Sequence, residues 1–181
     1  MRFRTYSSDC IVLSRRNYGE ADRILTVYSR HYGKLKLLAK GVRKPKSKKR
    51  GHIEVFSRLR FSASKGKGID IITEAELIEP YDFLRRDLRK TSLAYYFCEV
   101  VEKITREEER NENVFEEFAG SLKLLTNGVN LKELRKNFVI RLLILQGFLA
   151  ENLKVDDIDK TLAEVTEREM SSYRVGKRIL I

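Results

Sequence analysis

Lys34-Leu35-Lys36-Leu37-Leu38-Ala39-Lys40 is the stretch whose reading decides the fold. Side chains alternate between the two faces of an extended chain, so Leu35, Leu37 and Ala39 share one side and Lys34, Lys36 and Lys40 the other. The segment reads as a strand with one buried face and one cationic face. The same pattern recurs at 54–63, where Val55, Ser57, Leu59, Phe61 and Ala63 interleave with Glu54, Phe56, Arg58, Arg60 and Ser62. Working outward, Ser8–Ser14, Arg23–Arg30 and Ile69–Ile78 also have strand character. Turn signals separate the five: Asn17-Tyr18-Gly19, His31-Tyr32-Gly33, a loop from Gly41 to Gly51, and Lys65-Gly66-Lys67-Gly68. Five short strands in succession predict a small closed barrel, and strand count leaves the OB and SH3-like types both open.

After Pro80 the period becomes that of helices. Leu84, Leu88, Leu93, Phe97, Val100, Val101 and Ile104 mark one long amphipathic segment with a break near Asp87. Asn113 followed by Glu116 reads as a capping box, opening a helix that Asn127-Gly128 closes. Leu131, Leu134, Phe138, Leu142, Leu145 and Leu149 step at three and four, predicting the central helix of a bundle. A last helix is expected from Asp157 to about Ser172. The fold class is therefore α+β: a barrel over residues 1–80, then an all-α helical domain over 81–181.

Charge follows the same division. Residues 1–80 carry nineteen Lys or Arg against eight acids, whereas 81–181 carry eighteen of each. Within the first part, Arg30 to Asp70 holds fourteen bases and two acids, so the chain's net +11 is concentrated in one stretch. A concentrated cationic field is a footprint for polyphosphate, with nucleic acid ahead of an anionic membrane surface. Met1 to Cys10 lacks the apolar run of a secretory signal, and no later run reaches the roughly 18 apolar residues of a membrane span, so a cytoplasmic protein is expected. Cys10 and Cys98 stand far apart without a CxxC partner, which predicts neither zinc nor a disulfide framework and assigns both to the core.

The strongest candidate site is the run Arg43-Lys44-Pro45-Lys46-Ser47-Lys48-Lys49-Arg50, joining two strands whose exposed faces add Lys34, Lys36, Lys40, Arg58 and Arg60. A solvated charge run is the plain alternative, but cations on two strands and their connecting loop make one groove for a phosphate backbone. Arg15 and Arg16 extend the candidate DNA-binding set at the preceding turn, where Glu20 and Asp22 would pair locally with Arg16 or Arg23. Tyr18, Tyr28, Tyr32, His52 and Phe56 are the aromatics near this face, most of them expected to pack and one or two to stack on bases. Catalytic chemistry has no constellation here: His31 and His52 are the only histidines, and no nucleophile has a base at readable spacing. Asp156, Asp157 and Asp159 sit at a helix start, where the dipole favours acids without any metal. No enzyme activity and no cofactor are expected.

Four ordered motifs carry a family resemblance. Tyr18-Gly19-Glu20-Ala21-Asp22-Arg23-Ile24-Leu25, His31-Tyr32-Gly33-Lys34-Leu35, Ala39-Lys40-Gly41-Val42-Arg43-Lys44-Pro45-Lys46-Ser47 and Asp70-Ile71-Ile72-Thr73-Glu74-Ala75-Glu76-Leu77-Ile78-Glu79 closely resemble, in order and spacing, the N-terminal domain of RecO, the bacterial recombination mediator. The likeness continues more loosely to Gly147-Phe148. It implies an OB-fold followed by a helical domain without catalytic residues. It also implies binding of single- and double-stranded DNA, strand annealing, contact with the acidic tail of single-stranded-DNA-binding protein, and partnership with RecR in loading RecA. Lys132, Arg135 and Arg141 around the Leu134–Leu142 helix are candidates for the tail. Many relatives carry a four-cysteine zinc module after the position of Phe148; here Ala150-Glu151-Asn152-Leu153-Lys154-Val155-Asp156-Asp157 has no cysteine, so no metal is expected. The sequence ends at Ile181, earlier than is usual in the family, which implies a reduced helical domain. The resulting expectation is a DNA-binding recombination mediator. An RNA- or ribosome-associated OB protein is the alternative, and a module whose basic face binds acidic tails is a third reading.

Overall fold

The computed structural model describes residues 5–47, 53–127, 129–151, 155 and 157–166. The chain divides into two compact units, Met1–Pro80 with Glu107–Glu112, and Tyr81–Arg106 with Asn113–Ile181. Glu107–Glu112 packs with the barrel although it lies between two helices, a return that no strand or helix period announces.

The first unit has five strands: β1 (Thr5–Tyr18), β2 (Asp22–Ser29), β3 (Gly33–Ala39), β4 (Arg58–Ser64) and β5 (Asp70–Glu79). They close in the order β1-β2-β3-β5-β4, with β4 returning to β1. Every pairing is antiparallel except β3–β5, where Leu37 lies opposite Asp70 and Leu38 opposite Ile71. This closed Greek-key arrangement is the OB-fold, and it resolves the choice that strand count left open. The alternation read in β3 is observed: Leu35, Leu37 and Ala39 are buried with Val12, Leu25, Val27 and Phe61 in the barrel core. Cys10 belongs to the same core, and burial pushes its thiol pKa up.

β4 starts four residues later than the alternation at 54–63 suggests. Alongside, β1 carries a bulge between Val12 and Ser14 in its pairing with β2. Segment 54–57 bends onto it, with the Phe56 N–H donating to the Val12 carbonyl (2.8 Å) and the Val12 N–H to the Ser57 carbonyl (3.2 Å). Phe56 there adopts φ 57° and is fully buried. A strict period of two puts it on the exposed face, and the left-handed turn at this residue swings it inward.

In the second unit a short 3₁₀ turn (Asp82–Arg86) precedes α1 (Leu88–Ile104). The break read near Asp87 is an N-cap: its carboxylate accepts from the N–H groups of Arg89 and Lys90. α2 runs over Glu112–Leu124, so Asn113 lies inside the first turn and the capping-box reading is not realised. α3 (Leu131–Leu145) opens on Asn130, whose side chain accepts from Lys132 N and Glu133 N. It closes four residues before the end of its leucine stripe. Gly147 takes φ 75° and donates to the Ile144 carbonyl, while the Phe148 N–H reaches back to Leu143; this paired closure is a Schellman motif. α4 (Ile158–Thr166) opens on Asp157, which accepts from Asp159 N and Lys160 N at 3.0 Å each. The expected continuation to Ser172 lies outside the described residues.

α1, α2 and α3 pack through aromatic rings. Phe97 and Phe138 stand 4.0 Å apart between centroids, and Phe118 meets Phe138 at 6.2 Å. Cys98 is buried. Among the described residues no helix is long and apolar enough to cross a membrane.

Candidate nucleic-acid interface

The basic loop after β3 is anchored at both feet. Val42 and Ile53 are fully buried in the barrel core, and residues 43–47 follow directly on the first of these two anchors. The first foot is also tied to the β1–β2 hairpin: the Gly41 N–H donates to the Asp22 carboxylate at 2.7 Å, and the Arg43 N–H to the Ala21 carbonyl at 2.9 Å. Two tight turns follow, closed by Lys44 N–H to Gly41 O and Ser47 N–H to Lys44 O. Arg43, Lys44 and Lys46 are exposed on this scaffold. Lys48, Lys49 and Arg50, and with them His52, lie outside the described residues.

The hairpin adds cations to the same end of the barrel. Arg15 and Arg23 converge on the Glu54 carboxylate at 2.6 and 3.5 Å. Arg43 donates to the Gly19 carbonyl at 3.2 Å. Burial, then the neighbouring Arg15, depress the pKa of the Arg23 guanidinium, with Glu54 opposing and Arg43 adding to the effect. Arg15 and Arg43 act on it as a local positive field. Asp22, expected to pair with a neighbouring arginine, instead caps the loop. Arg16 and Lys40 are exposed beside it.

The other sequence candidates lie elsewhere. Lys34 and Lys36 sit on β3 beside Glu107, which forms an isolated bridge with Lys34 through the backbone and an ion pair with Lys36. The Lys36 contact holds the Glu107 carboxyl below the usual range. Arg58 and Arg60 on β4 share the Asp9 carboxylate at 3.1 and 3.0 Å, and across the sheet they face Glu79 and Glu76. The single groove read from the sequence thus resolves into three groups. Only the group around the 40–47 loop and the hairpin tip presents Arg16, Lys40, Arg43, Lys44 and Lys46 together.

Of the aromatics, Tyr28 and Phe56 are fully buried, and Tyr28 donates its hydroxyl to the Asn111 carbonyl. Tyr18 at the hairpin tip and Tyr32 in the β2–β3 turn are exposed. Tyr6 and the run Glu107-Glu108-Glu109 have no role in the sequence reading; three consecutive acids are visible there, but their placement beside β3, 71 positions from Lys36, is not.

In the helical unit Arg135 is held inward. Its guanidinium lies 4.7 Å over the Tyr96 ring, donates to the Tyr96 hydroxyl at 3.2 Å and ion-pairs with Asp159. Lys132 and Arg141 are exposed, Arg141 standing 3.7 Å from Glu117. The described residues hold no group of three or more His, Cys, Asp or Glu placed for a metal ion.

The family comparisons agree with this architecture. The model for "Recombination protein O N terminal" matches residues 1–81, and that for "Recombination protein O C terminal" matches residues 85–151. The DNA repair protein RecO of Pelotomaculum thermopropionicum is 40% identical over 143 residues, covering 79% of this chain and 56% of that protein. Its counterpart in Desulforamulus reducens is 36% identical over 166 residues, covering 92% and 63%, and that of Roseiflexus sp. 30% identical over 168 residues, covering 93% and 59%. The chain therefore spans less than two thirds of the length of these relatives. With both family models matched in order, and with the barrel and helices where they place them, the chain belongs to the RecO family of DNA repair proteins.

Proposed function

We propose that this chain binds single- and double-stranded DNA through the 40–47 loop and the β1–β2 hairpin tip, and brings complementary strands together by neutralising phosphate. The observation that carries the reading is the anchored loop: Arg43, Lys44 and Lys46 project from a segment whose two feet, Val42 and Ile53, are fixed in the core. Cations outnumber the exposed aromatics Tyr18 and Tyr32 at the barrel surface, a balance that leaves Watson–Crick edges free to pair while the backbone charge is screened. The proposal extends to recombinase loading, with RecR and the acidic tail of single-stranded-DNA-binding protein as partners, and the family match supports it. For the tail, Lys132 and Arg141 remain the accessible cations, because Arg135 is engaged with Asp159.

A fluorescence-quench annealing assay, run without ATP at a concentration where DNA binding is established, tests the proposal. Wild-type protein accelerates annealing most at low salt, and the Arg43→Gln/Lys44→Gln/Lys46→Gln protein loses most of the gain. Equal rates with and without wild-type protein overturn annealing. Preference for RNA over single-stranded DNA at matched salt favours the RNA-associated alternative.

A further inference from the structure

At the opposite end of β3 from the basic loop, roughly 20 Å along the strand, lies a cleft of about 360 Å³. Tyr6 from β1, Tyr32 from the β2–β3 turn and Lys65 from the β4–β5 loop form its walls, with Glu108 at the rim. The Tyr6 and Tyr32 rings meet edge to face, 4.8 Å apart at 67°. Tyr6 is fixed from behind by Phe61, at 5.8 Å, and by its hydroxyl, which donates to Asp70 at 2.6 Å. Its ring is therefore preorganised, whereas Tyr32 remains 37% exposed. Lys65 Nζ stands 5.3 Å from the Tyr6 centroid.

A second cleft of about 300 Å³ shares Leu35, Lys65 and Glu108 with the first and adds Lys34, Lys36 and Lys67 together with Asp70 and Glu107, which pair with Lys65 (3.1 Å) and Lys36. An aromatic wall thus passes directly into one where four lysines outnumber three carboxylates. That pairing matches one chemical unit, a planar heteroaromatic ring joined to a phosphate. Glu108 sets the orientation, because its carboxylate repels phosphate and accepts hydrogen bonds from base amino groups. It is held there in a left-handed conformation (φ 60°) by its N–H bond to the Lys34 carbonyl. A base in a duplex has both faces occupied by its neighbours, so only an unpaired one can enter.

We propose that this cleft is a stacking site for one unpaired nucleotide, with Tyr32 and Tyr6 holding the base and Lys65 and Lys67 the phosphate. The proposal rests on the DNA-binding reading above and adds a division of labour to it. The basic loop takes any phosphate backbone, and the cleft distinguishes single from double strands.

The test measures affinity of the full chain for a single-stranded oligonucleotide carrying 2-aminopurine and for a blunt duplex of the same sequence. Tyr32→Ala lowers single-strand affinity about 5- to 100-fold, the range expected for one lost base stack. It leaves duplex affinity and the far-ultraviolet circular dichroism unchanged, and Tyr32→Phe restores the loss. Lys65→Gln/Lys67→Gln weakens the single strand more than the duplex. Tyr32→Ala affecting both DNAs by the same factor, or neither, overturns the cleft while leaving the DNA-binding reading intact. Failure of the wild type to bind either DNA at low salt overturns both readings.

Discussion

A Cβ added to Gly33 would stand 2.0 Å from the carbonyl oxygen of Glu109, closer than any carbon approaches an oxygen without displacement. Gly33 begins β3 at φ 66°, and Glu109 belongs to the acidic segment laid against that strand. The close approach lets the Glu108 N–H reach the Lys34 carbonyl at 2.9 Å, brings Arg30 within 3.6 Å of Glu112, and places Asn111 over the Tyr28 hydroxyl. Gly33→Ala is expected to destabilise the protein by about 2–4 kcal/mol, the left-handed strain being compounded by the backbone clash. Gly19 offers the internal comparison: φ 56°, with nothing within 4 Å of its would-be Cβ. Gly19→Ala should cost about 1–2 kcal/mol. Urea denaturation of the two variants measures the difference, and equal losses would contradict the close approach.

Glu107 occupies Lys36 as a phosphate would. Both side chains are about half exposed, so the pair contributes little to stability, but it masks a cation of the basic strand. Glu107→Gln is expected to raise affinity for DNA about two- to fivefold at low salt and to leave it unchanged where salt screens the exchange. Affinity measured at two ionic strengths checks this.

The anchored loop predicts a change in salt slope. Each phosphate contact on a single strand contributes about −0.7 to the log–log dependence of affinity on salt. Replacing Arg43, Lys44 and Lys46 by Gln should therefore flatten the slope by about 2. An unchanged slope would show these side chains to be solvated away from DNA.

Arg135 joins three helices through Tyr96 on α1 and Asp159 on α4. Its guanidinium stacks and donates from one planar group, which an ammonium cannot reproduce. Arg135→Ala should cost about 1–3 kcal/mol, and Arg135→Lys should recover only part of it. A double-mutant cycle with Asp159→Asn should give a coupling energy above about 0.5 kcal/mol; an additive result would reduce the ion pair to a surface coincidence.

Three tyrosines set the alkaline limit. Burial pushes the Tyr96 phenol up to about 12, and burial, reinforced by Asp70 at Tyr6 and by Glu109 at Tyr28, raises those two further above the ordinary value. In the unfolded chain all three ionise near 10. Above that pH the unfolded state releases protons that the folded state retains, so stability is complete below pH 10 and falls as pH rises beyond it. Asp70 acts at the other end of the scale. Burial raises its pKa, but hydrogen bonds from Tyr6, the Gly66 N–H and Lys65 outweigh this and hold it below the usual carboxylate range. Its contribution is present above about pH 4 and is lost on acidification through the depressed value. Ultraviolet titration of the tyrosines should resolve a late-ionising class, and Tyr6→Phe should shift the acid limb of the stability profile upward.

Much of this architecture is legible in local pattern. The alternation of Lys34 to Lys40 is enough to assign β3, because a strand with one buried face must have that period. The break near Asp87 is legible in the helical period, whereas the N-cap roles of Asp87 and Asn130 come from the structure, where short polar side chains satisfy the free N–H groups of a helix start. Pattern misleads where tertiary geometry intervenes. The leucine stripe of α3 continues to Leu149, yet Gly147 ends the helix. The alternation at 54–57 breaks because Phe56 turns inward to meet the bulge at Val12.

The sequence by itself determined the barrel and helix periods, the concentration of positive charge between Arg30 and Asp70, and the family. Charge is a property of each residue and needs no fold to be counted. Tertiary structure alone decided which of those charges are available. Lys36 meets Glu107 across 71 positions, and Arg58 and Arg60 meet Asp9 across 49 and 51, separations at which composition carries no information about distance. Barrel closure, with β5 inserted between β3 and β4, brings Tyr6, Tyr32 and Lys65 to one end and Arg15, Lys40 and Arg43 to the other. Stacking acts only at contact range and salt confines the attraction between exposed charges to about 10 Å, and those distances are set by the path of the chain.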